Sequence, residues 1–169
     1  MNRRHFLSAS AAALAAPPEP EIRTAMIGVG NRGNGLLTQV LAQTNVRVDA
    51  VCDIDAQASD RAISRATRDN PRSFTDYRQV LDLKNIDAVI VATPCDLHAE
   101  MAAAALEAGK YVYCEKPLGI TPEQVDLAVK AARKSKVFLQ IGQQLRYFPG
   151  LRETIRQIHE DKIIGPTFV

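Results

Sequence analysis

The chain has no tryptophan, only 5% aromatic residues and three cysteines in its 169 residues. With so few rings, aliphatic side chains and alanine must fill any core, and a sugar-binding module built on aromatic platforms is not expected. Cys52, Cys95 and Cys114 are odd in number and form no close CxxC pair, so they suit neither a disulfide framework nor a metal site. Each falls at or near an expected strand end, as a small packing residue would. Charge of one sign is also scarce. The formal net charge is +2, and without Arg3 and Arg4 the basic and acidic residues balance at 19 each. Binding to a phosphate backbone needs a concentration of positive charge that such a body lacks, so nucleic acid is not an expected partner.

The first 20 residues read as an address and linker rather than as part of a fold. Asn2-Arg3-Arg4-His5-Phe6-Leu7 resembles a twin-arginine export motif. A modest apolar stretch, Phe6 to Ala16, follows it, and Ala13-Leu14-Ala15 offers the small-x-small pattern of a cleavage site. The stretch is shorter than the roughly 20 apolar residues that cross a bilayer, so no stable membrane anchor is expected. Pro17-Pro18-Glu19-Pro20 then forms a stiff spacer. A periplasmic or otherwise exported protein is expected.

From Arg23 onward apolar strands alternate with amphipathic helices. Ala25-Met26-Ile27 is a short buried strand, and Leu36, Leu37, Val40 and Leu41 recur at helical spacing. Val46 to Cys52 reads as a second strand, Asp55 to Arg68 as a polar helix and Asp76 to Leu83 as a shorter one. The continuous apolar run Ala88-Val89-Ile90-Val91-Ala92 suits a fourth, parallel strand buried on both faces. Thr93, Pro94 and Asp96 carry the signals of a helix start, and Gly109 those of its stop. Tyr111 to Cys114 is the fifth strand. Thr121-Pro122-Glu123-Gln124 opens a helix with a capping-box pattern, and Val125, Ala128, Val129 and Ala132 give it an inward face. Val137 to Ile141 is the sixth strand, followed by a helix from about Pro149 to His159. Such alternation predicts an α/β fold with a doubly wound parallel sheet and right-handed crossovers.

Gly28-Val29-Gly30-Asn31-Arg32-Gly33 stands between the first strand and its helix, the context in which a glycine pattern signals dinucleotide binding. Gly28 allows a tight turn, Gly30 admits a pyrophosphate, and Gly33 lets helix and strand pack closely. Helix amides, with Asn31 at the start of the helix, offer partial positive charge to phosphates. Asp53 ends the second strand and is placed to accept hydrogen bonds from adenosine ribose hydroxyls, although Asp55 is a rival for a simpler loop role. Its charge would repel a 2′-phosphate, which favours NAD over NADP. Arg32 could stack on adenine or contact a phosphate.

Three further motifs lie at carboxyl ends of strands, the rim at which open α/β sheets bind ligands. They are Ala92-Thr93-Pro94 with His98, Glu115-Lys116-Pro117, and Gly142-Gln143-Gln144-Leu145-Arg146-Tyr147. With the glycine turn, this set resembles the Gfo/Idh/MocA oxidoreductases over residues 22 to 169. The resemblance implies a Rossmann-like domain at 21–146, and a connecting helix and first strand at 147–169 that lead into a second α/β domain beyond the chain's end. It implies NAD as cofactor, a sugar or polyol as substrate and a homo-oligomer at full length. Lys116 matches the family lysine beside the nicotinamide and the substrate hydroxyl. Thr93, Pro94, His98, Glu115, Pro117 and Gln144 join it on the cofactor side, with His98 equally readable as a packing or capping residue. Leu145 stands where an arginine is common. An NAD-dependent dehydrogenase of a sugar or cyclitol is the first expectation. An NAD-using glycosidase and a non-catalytic nucleotide-binding module remain alternatives.

Overall fold

A computed structural model describes residues 20–160; the signal and linker expected at 1–20, except Pro20, and residues 161–169, with the first strand expected within 147–169, lie outside them. Among the described residues, six parallel strands form one sheet in the order β3-β2-β1-β4-β5-β6. The strands are β1 (Ile22–Ile27), β2 (Val46–Cys52), β3 (Arg72–Phe74), β4 (Ala88–Val91), β5 (Tyr111–Cys114) and β6 (Leu139–Ile141). The helices are α1 (Asn31–Leu41), α2 (Ala56–Arg65), α3 (Tyr77–Leu81), α4 (His98–Glu107), α5 (Pro122–Lys134) and α6 (Pro149–Glu160), with a 3₁₀ turn at Gln144–Tyr147. This is the doubly wound Rossmann-like order, in which the chain reverses direction across the sheet between β1 and β4. Ligands bind at the crevice such a reversal opens.

Side chains of a strand alternate between faces, and here the two faces feed two cores. Ala25 and Ile27 of β1 join Val89, Val91 and Val112 under α4 and α5. Met26 joins Val48, Val51 and Ile90 under α1 and α2, where Leu37, Ala58 and Ala62 complete the second core. Alanine performs much of the work expected of it: Ala99, Ala102, Ala103 and Ala105 of α4 are all buried, as are Ala128 and Ala131 of α5.

Several helix ends follow the local chemistry of the sequence. Asp55 caps α2 by accepting from the Gln57 amide at 2.9 Å, and Asp76 caps α3 by accepting from the Arg78 amide at 2.9 Å. Gly109 closes α4 with amide bonds from Gly109 to the Leu106 carbonyl and from Lys110 to the Ala105 carbonyl, the paired pattern of a left-handed helix stop. Thr121 caps α5 with its hydroxyl oxygen accepting from the Gln124 amide at 3.3 Å, while the Gln124 carboxamide oxygen accepts from the Ile120 amide, one residue earlier than a standard capping box.

Two expectations need correction. The helix after β4 does not start at Thr93 and Pro94 but at His98, with no side-chain cap. Residues 93–97 instead form a turn, closed by the Leu97 amide on the Pro94 carbonyl at 3.0 Å and braced by the Gln124 carboxamide on the Asp96 carbonyl at 3.0 Å. That detour holds Thr93 and Pro94 over the carboxyl edge of the sheet. The polar helix α2 ends at Arg65 rather than Arg68, because Arg68 turns back to donate to the Val46 carbonyl at 2.7 Å and to pair with Asp69.

Candidate functional site

The site is built at the carboxyl edge, around the end of β1. Gly28 has φ +83, and a Cβ on it would lie 2.7 Å from backbone atoms of Ala92 and Thr93. Both the dihedral and the close approach require glycine. A Cβ on Gly33 would meet the Gly28 carbonyl oxygen at 2.0 Å, so helix α1 packs directly on the turn. A Cβ on Gly30 would meet nothing within 4 Å. It would project into open space, which is the room a pyrophosphate needs. Gly30 precedes α1 and no side chain caps that helix, leaving the first-turn amides available to an anion.

Asp53 is bound into this turn. Its carboxylate accepts from the Val29 amide at 2.8 Å and from the Asp55 amide at 3.0 Å, one bond at each oxygen. Each oxygen keeps a further lone pair for a ribose hydroxyl. The turn, Asp53 and the residues after β4 border a cleft of about 700 Å³. Gly28, Gly30, Asp53, Thr93 and Pro94, five of the residues expected on the cofactor side, all line it. The buried hydroxyl of Thr93 has no hydrogen-bond partner there. A buried polar atom without a partner is costly, and a bound ligand is one source of a partner. The open space before Gly30 and this orphaned hydroxyl both fit a dinucleotide.

Part of the cleft wall was not read from the sequence. Ile54, 91% exposed, lies on the cleft beside Asp53, and Thr75 to Arg78, Leu97, Glu100 and Met101 supply the rest. The Tyr77 hydroxyl donates to Glu100 at 2.8 Å, while Arg78 lies 4.5 Å over the Tyr77 ring and pairs with Glu100 at 3.3 Å. Burial, with the Glu100 carboxylate second, holds the Tyr77 phenol above its ordinary pKa, so it stays a donor. No local pattern marks this wall: Thr75 and Asp76 directly follow β3, a strand too short to show a period.

The second group of expected residues gathers beside the cleft around Glu115, which is 3% exposed. Its carboxylate accepts from Arg32 Nε at 2.8 Å, Gln144 Nε2 at 3.0 Å, the Tyr113 hydroxyl at 3.2 Å and the Lys116 amide at 3.1 Å. Arg32 thus pairs with Glu115 through Nε and Nη2, with its side chain half exposed. The bond to Glu115 raises the Arg32 pKa further. Lys116 itself is exposed, and its peptide bond to Pro117 is cis. Asn31 is exposed at the start of α1.

His98 sits behind the cleft wall. It is 1% exposed, with Nδ1 at 2.7 Å from the Pro117 carbonyl and Nε2 at 2.8 Å from the Thr93 carbonyl. Both partners are acceptors, so the ring links the turn after β4 to the loop after β5 from inside. Cys52 and Cys114 are buried free thiols, pushed up to about 11 and about 12 chiefly by desolvation, and they stay protonated as packing residues. No group of three or more metal-ligating side chains occurs among the described residues.

The family model for oxidoreductases with an NAD-binding Rossmann fold (GFO_IDH_MocA) matches residues 22–143. The chain belongs to the Gfo/Idh/MocA oxidoreductase family. It is 38% identical over 139 residues to a glycosyl hydrolase family 109 protein of Stenotrophomonas maltophilia, covering 72% of this chain and 31% of that protein. It is 33% identical over 151 residues to an inositol 2-dehydrogenase of Salmonella typhimurium, covering 88% of this chain and 44% of the relative. The myo-inositol 2-dehydrogenase structure from Lactobacillus plantarum matches with a TM-score of 0.78 at 28% identity, covering 85% of this chain and 42% of that one. The chain thus spans less than half the length of these relatives. Its Gfo/Idh/MocA membership makes it an NAD-binding Rossmann domain.

Proposed function

We propose that the protein is the dinucleotide-binding part of an NAD-dependent dehydrogenase that oxidises a hydroxyl carbon of a sugar or cyclitol. The observation that carries this reading is the continuity of one rim. The glycine turn, Asp53, the orphaned Thr93 hydroxyl and the Glu115-Lys116-Pro117 loop all stand at carboxyl ends of neighbouring strands. NAD, when bound, supplies the hydride acceptor. The chain's residues do the rest. The α1 amides hold the pyrophosphate, Asp53 accepts from the ribose, and Asn31 and Pro94 border the dinucleotide. The Lys116 ammonium orients the substrate hydroxyl and stabilises negative charge that develops on its oxygen. Gln144 and Glu115 hold the lysine loop in place. A proton acceptor comes from a second α/β domain, in keeping with the greater length of the relatives. Asn2-Arg3-Arg4-His5-Phe6-Leu7 supports export of the folded holoprotein, and full-length chains assemble as homo-oligomers.

A second reading, an NAD-using glycosidase, is favoured by the similarity to the glycosyl hydrolase family 109 protein. The two differ in their redox balance. The full-length protein should reduce NAD to NADH when given free cyclitols or sugars, followed by the absorbance of the reduced nicotinamide. Cleavage of an aryl glycoside without net NADH would replace the first reading by the second, and neither activity would overturn both.

A further inference from the structure

The carboxylate of Glu115 is held by donors from three separate segments. Arg32 comes from the first turn of α1, Tyr113 and the Lys116 amide from β5 and its loop, and Gln144 from the 3₁₀ turn after β6. Gly142 closes over it: a Cβ there would stand 2.6 Å from the Tyr113 hydroxyl and 3.0 Å from Glu115 Oε1. A larger residue there would push the Tyr113 hydroxyl aside and crowd the carboxylate. Arg32 is the second residue of α1, the helix whose first-turn amides face the pyrophosphate space. Glu115 directly precedes Lys116 and bonds its amide through Oε2, while Oε1 takes the Arg32 guanidinium. One buried carboxylate therefore connects the phosphate turn to the lysine backbone through two bonds.

We propose that Arg32 and Glu115 are a positioning pair that couples dinucleotide binding to the placement of Lys116. This rests on the reading that α1 holds the pyrophosphate and that Lys116 faces the substrate. Arg32 acts through Glu115 rather than as an independent phosphate ligand. Closing the turn on a dinucleotide draws α1, Arg32 and the Glu115-Lys116 backbone into one arrangement. Buried carboxylates with several charge-assisted donors are rigid, because each lost bond leaves an unpaired polar group.

The test is a double-mutant cycle in the full-length protein, with NAD affinity read by titration calorimetry for wild type, Arg32→Gln, Glu115→Gln and the double variant. Coupled pairs give non-additive effects. Each single change should raise the NAD Kd by about tenfold, and the double change should be no worse than about twofold beyond the weaker single. Lys116 is read separately by acetylation and mass spectrometry, with and without saturating NAD. NAD should change Lys116 labelling by at least about fivefold in wild type and by less than about twofold in Arg32→Gln, where the link is cut. Arg32→Lys keeps the charge but loses the fork geometry, so it should recover only part of the affinity. If Glu115→Gln does not fold, Arg32→Gln with the labelling readout decides alone. Additive losses near a hundredfold, or full NAD-dependent protection of Lys116 in Arg32→Gln, would overturn the coupling while leaving the dinucleotide site intact. A wild type that binds no NAD would overturn the underlying reading and the coupling with it.

Discussion

Replacing Lys116 with Met in the full-length protein should lower kcat by about 10²–10³-fold, the usual cost of removing one group that stabilises developing charge on oxygen. NAD affinity should change by less than about threefold, because the proposed role is toward the substrate hydroxyl. The structure supports a free rather than a structural lysine. Lys116 is exposed, whereas the loop is held through its neighbours, by the donors on Glu115 and by His98 on the Pro117 carbonyl. Lys110 offers the contrast. It is buried, with Nζ donating to the Leu83 and Ile86 carbonyls at 2.7 and 2.8 Å, and burial lowers its pKa. Steady-state kinetics with NAD and a reactive polyol would separate the two effects. A Lys116→Met enzyme with unchanged kcat would remove the residue from the chemistry.

The second large effect distinguishes two glycines of one turn. Gly33→Ala puts a Cβ 2.0 Å from the Gly28 carbonyl oxygen, a backbone atom that cannot swing aside. Overpacking of this kind should cost about 3 kcal/mol, read as a lowered midpoint in urea unfolding. Gly30→Ala should fold with stability within about 0.5 kcal/mol of wild type, since its Cβ meets nothing within 4 Å and its φ of -64 is open to alanine. It should nevertheless weaken NAD by about ten- to a hundredfold, because the added methyl occupies the pyrophosphate space. Equal stability losses in both variants would contradict the division between a packing glycine and a ligand-facing one.

Much of the fold could be read from local sequence because its central strands are short apolar runs set between amphipathic helices. Ala88 to Val91 and Tyr111 to Cys114 emerge where periodicity places them. β3 does not, since a three-residue strand, Arg72–Phe74, is too short to show a period. The start of α4 was misplaced because Thr93, Pro94 and Asp96 carry cap chemistry that the chain spends on a turn. In the site, the glycine turn and Asp53 were readable since their partners are close in sequence or dictated by strand geometry. The Arg32–Glu115 pair joins residues 83 apart, and no local pattern encodes such a contact. His98 was ambiguous for the same reason: its two carbonyl partners lie on different loops that only the folded sheet brings together.

The central claim is that the carboxyl-edge cleft holds NAD with Asp53 on its ribose. Calorimetric titration of wild type and Asp53→Ala with NAD and with NADP tests it most directly. The variant should lose roughly 1–3 kcal/mol of NAD affinity, the value of hydrogen bonds to a charged acceptor. Part of that loss comes through the freed Val29 amide, so Asp53→Asn serves as the control that keeps a carbonyl acceptor there. NADP should lose much less than NAD or gain, because the carboxylate no longer repels its 2′-phosphate. Equal losses for both dinucleotides in Asp53→Ala would contradict the account.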